Sequence, residues 1–313
     1  MTHRSARALV IGCGGTLGFA WTAAILDVLH SQAGWDPRTA DVLVGTSAGA
    51  EAVAMLGAGI PAGTILGALT GSPDSLVAAH VRRVPGRFPL VPSPHWPAVG
   101  LFRAARRGEV DRLAGLAGLL PRGRGDATWL RDLGDALAPD GWVPHPATWC
   151  VATDLNGRRV AFGAPGAPRA RLGDAIAASW AIPGWFPPVL IDGQLFLDGG
   201  TVSPTSADLF LGHELDEVVV IAPMASEGGA PARGLSRVES LLRTAMTRRL
   251  DSEVRMLRAA GIRVVRIEPG PQDLKAMGAN FMDHRRREHV LATAVSTAPA
   301  TVSQAFDRQG VQA

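Results

Sequence analysis

Apolar and polar positions along the chain fall into blocks that alternate between two periods. Arg7–Gly12 (RALVIG) is a short apolar run that reads as a buried strand, and Gly12–Gly18 (GCGGTLG) follows it as a glycine-rich turn. Phe19–Ser31 then places Phe19, Ala23, Leu26 and Leu29 at helical spacing. Asp41–Thr46 is a second buried strand, and the Ala-rich Ser47–Ala58 opens a helix. A strand followed at once by a helix, twice over, predicts a parallel α/β sheet.

Residues 71–147 break the rhythm. Prolines crowd in (VPGRFPLVPSPHWP), and only short amphipathic pieces such as Glu109–Leu120 remain. This stretch is expected to be a cap inserted into one domain, whose core spans about 7–70 and 148–306. The core pattern returns with strands at Thr148–Asp154 and Arg158–Phe162, turned at Asn156-Gly157. Arg171–Ala181 reads as a helix, and Val189–Leu197 as a strand pair turned at Asp192-Gly193. Glu217–Ile221 and Ile262–Ile267 are further strands. Between and after them come two helices: Leu235–Ala260, expected to turn Val238, Leu241, Ala245 and Leu257 inward, and His284–Gln304.

The bulk numbers narrow the classes. The chain has 313 residues, 47% of them hydrophobic, enough for a substantial core. The longest apolar stretch, Ala8–Leu29, is interrupted by Gly12, Gly14, Gly15, Gly18 and Asp27, so it reads as strand, loop and helix rather than a membrane span. A net charge of +3 is too small to imply nucleic acid, although the pI is about 9.6. Arg285–Arg287 is read as a solvated helix face. Cys13 and Cys150 are the two cysteines, which suggests neither a disulfide framework nor a metal site, and no cofactor is expected. The apolar segment before Cys13 is too short for an export signal, so a cytoplasmic location is expected.

Gly45-Thr46-Ser47-Ala48-Gly49 has the G-x-S-x-G spacing of a nucleophile on a tight strand-to-helix turn. At this point Ser47 has two readings, a nucleophile or a simple helix N-cap. His213, His284 and His289 lie outside any turn or strand end that would aim them as its base. The glycine loop after the first strand is neither a P-loop nor a complete G-x-G-x-x-G; its bare amides suit an oxyanion. Leu195-Phe196-Leu197-Asp198-Gly199-Gly200 ends an apolar strand in a carboxylate at the same expected rim. Taken alone, Asp198 also fits a turn-forming aspartate.

These pieces together resemble the patatin-like phospholipases. That family orders a glycine-rich loop (G-G-G-x-K/R-G), G-x-S-x-G and Asp-Gly-Gly/Ala, here Cys13–Gly18, Gly45–Gly49 and Asp198–Gly200, and Ala177–Pro188 looks like its segment before the Asp. The resemblance implies a three-layer α/β/α fold with a mainly parallel sheet and a Ser47–Asp198 dyad without histidine. It implies an acyl-enzyme and an oxyanion held by the amides of Gly14 and Gly15. The implied activity is that of a serine acyl hydrolase acting on lipid or acyl esters; an acyltransferase using the same acyl-enzyme and a weakly active lipid-binding module are the alternatives. Trp185 and Phe186 are the candidates for an acyl-pocket wall, and peripheral contact with a membrane or lipid droplet is expected. Nothing in the pattern sets the oligomeric state. Two positions depart from the family: Cys13 replaces the first glycine, and Leu17 replaces Lys or Arg. The second departure predicts a preference for uncharged esters.

Overall fold

The computed structural model describes residues 5–72, 75–83, 93, 95–227 and 236–310. Strand β1 (Arg7–Ile11) leads into helix α1 (Gly15–Ser31), and β2 (Val42–Thr46) into α2 (Ala48–Gly57) and α3 (Ala62–Leu69). Then come α4 (Leu76–Arg83), α5 (Val99–Arg106), α6 (Arg112–Ala117) and α7 (Thr128–Leu137). Strands β3 (Thr148–Asp154) and β4 (Arg159–Phe162), helix α8 (Leu172–Ser179), and strands β5 (Val189–Ile191) and β6 (Gln194–Asp198) follow. The chain continues with β7 (Glu217–Ile221), α9 (Ser236–Ala259), β8 (Arg263–Ile267), α10 (Pro271–Met277) and α11 (Arg287–Gly310).

The sheet runs β5-β6-β3-β2-β1-β7-β8, with β4 added on β3. Strands β3, β2, β1, β7 and β8 are parallel neighbours. They are almost wholly apolar because helices cover both faces. One face, with Leu9, Ile11, Leu43, Val219 and Val265, packs on the large core with Leu26, Val53 and Ala294. The opposite residues, Ala8, Val10, Val44, Val218 and Val264, pack on a smaller core with Leu250, Val254 and Leu257 of α9. The result is three layers, α/β/α.

The register explains why the two ends of the chemistry meet. β4 occupies one edge of β3 over Cys150–Thr153, so β2 and β6 share the other edge end to end. β2 stops where Thr46 pairs with Val151, and β6, running antiparallel, stops where Asp198 pairs with Ala152. Ser47 and Asp198 therefore lie one step apart on the rim of the sheet.

Several expectations change in the fold. The glycine loop is half helix: α1 already begins at Gly15, its N-cap residue Gly14 makes no side-chain cap, and Leu17 is fully buried in the large core. A cation at position 17 would be an unpaired buried charge, a costly state. The described helices of residues 71–147 pack in two places. Val77 and Val81 of α4 and Trp129, Leu130 and Leu133 of α7 belong to the main core, whereas α5 rests on a separate small cluster, Ala98, Leu101 and Leu197. On α9, Leu241 is 70% exposed, not inward. The inward row is Arg243, Leu250, Glu253, Val254 and Leu257, Ala245 is half-buried, and the side chain of Val238 lies outside the described residues. The arginine run is only partly a solvated face. Arg285 pairs with Asp283 in the open, but Arg286 donates to the Ala276 carbonyl and Arg287 to that of Val81.

Candidate active site

Ser47 sits between β2 and α2 with φ 56° and ψ −120°, left-handed backbone in a residue that has a Cβ. Such a conformation costs on the order of 1–3 kcal/mol and survives only where the surroundings impose it. Here they do. A Cβ on Gly49 would stand 1.9 Å from the Ile11 carbonyl oxygen, and one on Gly45 would stand 2.2 Å from the Gly49 oxygen. The two glycines let α2 press against β1 and β2, and that contact forces the turn. The Ser47 side chain makes no capping bond to the helix, so the N-cap reading fails. Its hydroxyl instead lies by the Asp198 carboxylate and favours its ionised form.

The backbone of Ser47 is held by a residue that pattern reading passed over. The Ser47 amide donates to Ser179 Oγ at 2.7 Å, and Ser179 Oγ donates onward to the Val151 carbonyl at 2.6 Å, all three buried. The available signal was a lone hydroxyl at the end of the otherwise apolar α8.

Asp198 is the last residue of β6 and is only 4% exposed. Burial pushes its carboxyl up to about 7, against the hydrogen bonds from the Ser47 hydroxyl and the Gly200 amide, which favour the ionised form. The Gly200 amide donates to Asp198 Oδ1 at 2.7 Å. A Cβ on Gly199 would meet the Val151 carbonyl at 2.5 Å, so this turn too is packed tightly against β3. A carboxylate with that affinity for protons is a far better base near neutral pH than an exposed one.

The glycine loop faces the same point. The Cys13 amide donates to the Pro204 carbonyl and the Gly18 amide to the Gly14 carbonyl. Among the described residues, the amides of Gly14, Gly15 and Ala48 have no backbone acceptor. They stand at the N-termini of α1 and α2, where the helix dipoles favour negative charge. Gly15 has φ 58°, and a Cβ there would collide with Met282 and Phe281. Cys13 lies near Asp198; burial, and next the charge of Asp198, drive its thiol strongly toward the protonated form.

These groups open on a cavity of about 470 Å³. Its wall is mainly Leu113, Leu116, Leu120, Ile182, Val202 and Met246, with Trp185 and Phe281, whose rings stack with centroids 6.2 Å apart. Phe281 carried no sequence signal. Trp185 is on the wall, but Phe186 is not: it is buried behind it against Trp180. The remaining charges of the wall are already engaged. Arg249 is bonded to Glu253 and Asp208, and the Asp111 carboxylate caps α6 at the Ala114 amide. No histidine of the described residues lines this cavity. A second cavity of about 530 Å³, between β8 and α11, is rimmed by the ion pairs Arg266–Glu268 and Arg308–Glu227. Among the described residues, no group of His, Cys, Asp and Glu is arranged to hold a metal, and no helix is long and apolar enough to cross a membrane.

Uncharacterized NTE family proteins of Mycobacterium bovis and Mycobacterium tuberculosis are each 40% identical to this chain over 92 residues, which is 29% of this chain and 24% of theirs. The match thus spans about a quarter of those relatives' length. The crystal structure of VipD from Legionella pneumophila aligns with 98% of this chain and 67% of its own, at 15% identity and a TM-score of 0.45. A family model described as patatin-like phospholipase matches residues 9–211, well over half the chain, and that span encloses the glycine loop, Ser47 and Asp198: the chain belongs to the patatin-like phospholipase family.

Proposed function

We propose that the protein is a serine acyl hydrolase that cleaves uncharged carboxylic esters of lipids through a Ser47–Asp198 dyad. The observation that carries this reading is the strained Ser47, beside a buried carboxylate whose ionised form it favours and facing an apolar cavity. Asp198 takes the hydroxyl proton as Ser47 Oγ attacks the ester carbonyl. The carbonyl oxygen gains negative charge within reach of the unengaged amides of Gly14, Gly15 and Ala48. The Ser47–acyl bond forms, the ester C–O bond breaks, and Asp198 returns the proton to the leaving alcohol. Water then repeats the cycle and frees the acid.

The preference for uncharged esters rests on the cavity wall. Leu17 is in the core, and Arg249 is neutralised by two carboxylates, so among the described residues no free cation lines the cavity to meet a phosphate. The test is labelling by a fluorophosphonate probe, followed by hydrolysis of matched neutral and phosphorylated esters. Labelling is expected in the wild type and lost in Ser47→Ala and Asp198→Ala; labelling that survives Asp198→Ala would overturn the dyad. Faster turnover of the phospholipid than of the neutral ester would overturn the substrate class. The pH profile follows from the raised Asp198 pKa: the base must be ionised, so kcat/KM climbs with pH through about 7 and then levels. A profile flat from pH 5 to 8 would remove Asp198 as the base.

A further inference from the structure

The stretch from Trp96 to Asp126 holds two things in excess. It holds exposed large apolar side chains: Trp96, Leu116, Leu119 and Leu120 are all solvent-facing, the first two more than half so. It also holds six arginines against three carboxylates. That surplus equals the +3 charge of the whole chain, so the rest of the molecule is balanced. The carboxylates of the stretch are spent locally. Glu109 is paired with Arg107, Asp111 caps α6, and Asp126 accepts from Thr128. Arg103, Arg106, Arg112, Arg122 and Arg124 are exposed and have no ion pair among the described residues.

The fold gathers these groups at the mouth of the cavity. Leu116 and Leu120 are both exposed and part of its wall. By helical spacing Arg112 and Leu119 flank Leu116 on the side away from Leu113 and Ala117, which line the cavity. The Arg122 amide donates to the His95 carbonyl at 2.7 Å, which sets Trp96 beside Arg122 and Arg124. An exposed Trp and Leu cluster ringed by unpaired arginines is the pattern of a surface that enters a bilayer interface and is drawn there by negative headgroups.

We propose that this face, Trp96 to Arg124, docks the protein on an anionic phospholipid surface with the cavity mouth against the lipid. The proposal rests on the reading of that cavity as an acyl site and adds a division of labour. The headgroup charge that recruits the protein is read outside the cavity, whereas the ester it cleaves enters a cavity that has no free cation among its described lining residues.

The test is sedimentation of full-length Ser47→Ala protein with vesicles of phosphatidylcholine alone or mixed with phosphatidylglycerol. Binding is expected to the mixed vesicles only, and to fall as salt rises. Arg122→Glu with Arg124→Glu should lower it more than tenfold, at about fivefold for each arginine lost and further for the reversed charge. Trp96→Ser with Leu119→Ser should lower it several-fold. Val295→Ser, which removes another exposed apolar side chain, on α11 outside this face, should leave it unchanged. Equal binding to both vesicles, binding to neither, or binding that both double variants leave intact overturns the proposal. The same double variants in the active chain should still hydrolyse a soluble short-chain ester, which reports that they fold. If the wild type hydrolyses no ester while Ser47→Ala still binds anionic vesicles, the acyl-hydrolase reading fails and the docking face stands.

Discussion

The turn that carries Ser47 and the turn that carries Asp198 lie side by side, yet different forces make them what they are. At Ser47 the backbone is abnormal, with φ 56°, and the glycines that permit it stand within the same five residues. At Asp198 the backbone is ordinary, with φ −51°, and the abnormality is electrostatic: a carboxyl raised to about 7 by burial. The geometry of Ser47 is a local product of close packing. The proton affinity of Asp198 is a property of everything that covers it. Perturbing one should therefore damage folding, and perturbing the other should damage chemistry.

The largest contrast is expected from Asp198→Asn. Activity should fall by about 10⁴-fold, as when a catalytic carboxylate is removed from a dyad or triad. Stability should move the other way. The native carboxyl titrates near 7 and an unfolded one near 3.8, so the native state holds its proton more tightly between those values. Wild-type stability is thus unpenalised below about pH 4, falls as pH rises toward 7, and stays lowered above it. The variant is free of that penalty, so its melting temperature should exceed wild type at pH 8 by more than at pH 4. A melting temperature that is lower at pH 8 would break the comparison.

Next comes Gly49→Ala. Its Cβ would press on the rigid Ile11 carbonyl, and a loss of at least about 3 kcal/mol is expected, read by denaturant unfolding at a pH where Asp198 is protonated. A mild effect would mean that the elbow can relax. Ser179→Ala should be smaller. It leaves the buried Ser47 amide without its acceptor, worth roughly 1–3 kcal/mol. A kcat lowered tenfold to a hundredfold with little change in KM would mark Ser179 as positioning the nucleophile. A drop in stability alone would mark it as mere packing. The smallest effect is expected from Gly200→Ala. Its Cβ would crowd Asp198 Oδ1 at 2.9 Å and Cys13 Sγ at 3.0 Å. The amide bond that favours the ionised carboxylate should weaken, moving the acid limb of the pH–rate profile upward with kcat changed less than about tenfold.

Legibility followed the same divide. The parallel strands were readable because a strand buried on both faces must be apolar throughout, as RALVI and EVVVI are. The Asp192-Gly193 turn was readable because both residues take positive φ, at 48° and 74°, which Asp-Gly tolerates. The short helices of the inserted region have similar local patterns. What separates them is contact: α7 joins the main core through Trp129, and α5 does not. Leu241 was misplaced because α9 buries Arg243 and Glu253, charged residues that periodicity counts as outward. Phe186 went to the wrong side of the pocket wall because adjacent aromatic residues look alike until the chain around them is folded.

The sequence by itself determined the strand-to-helix turns, the order of the three motifs and the identity of the groups in them. Each depends on residues a few positions apart, and glycine, serine and aspartate report their backbone needs locally. Only the tertiary structure decided that β6 ends against the tip of β2, that Ser179 and Phe281 belong to the site, and that Asp198 is dry enough to titrate near neutrality. Pairing across a sheet, burial and desolvation are sums over groups far apart in the chain, and no local pattern contains them.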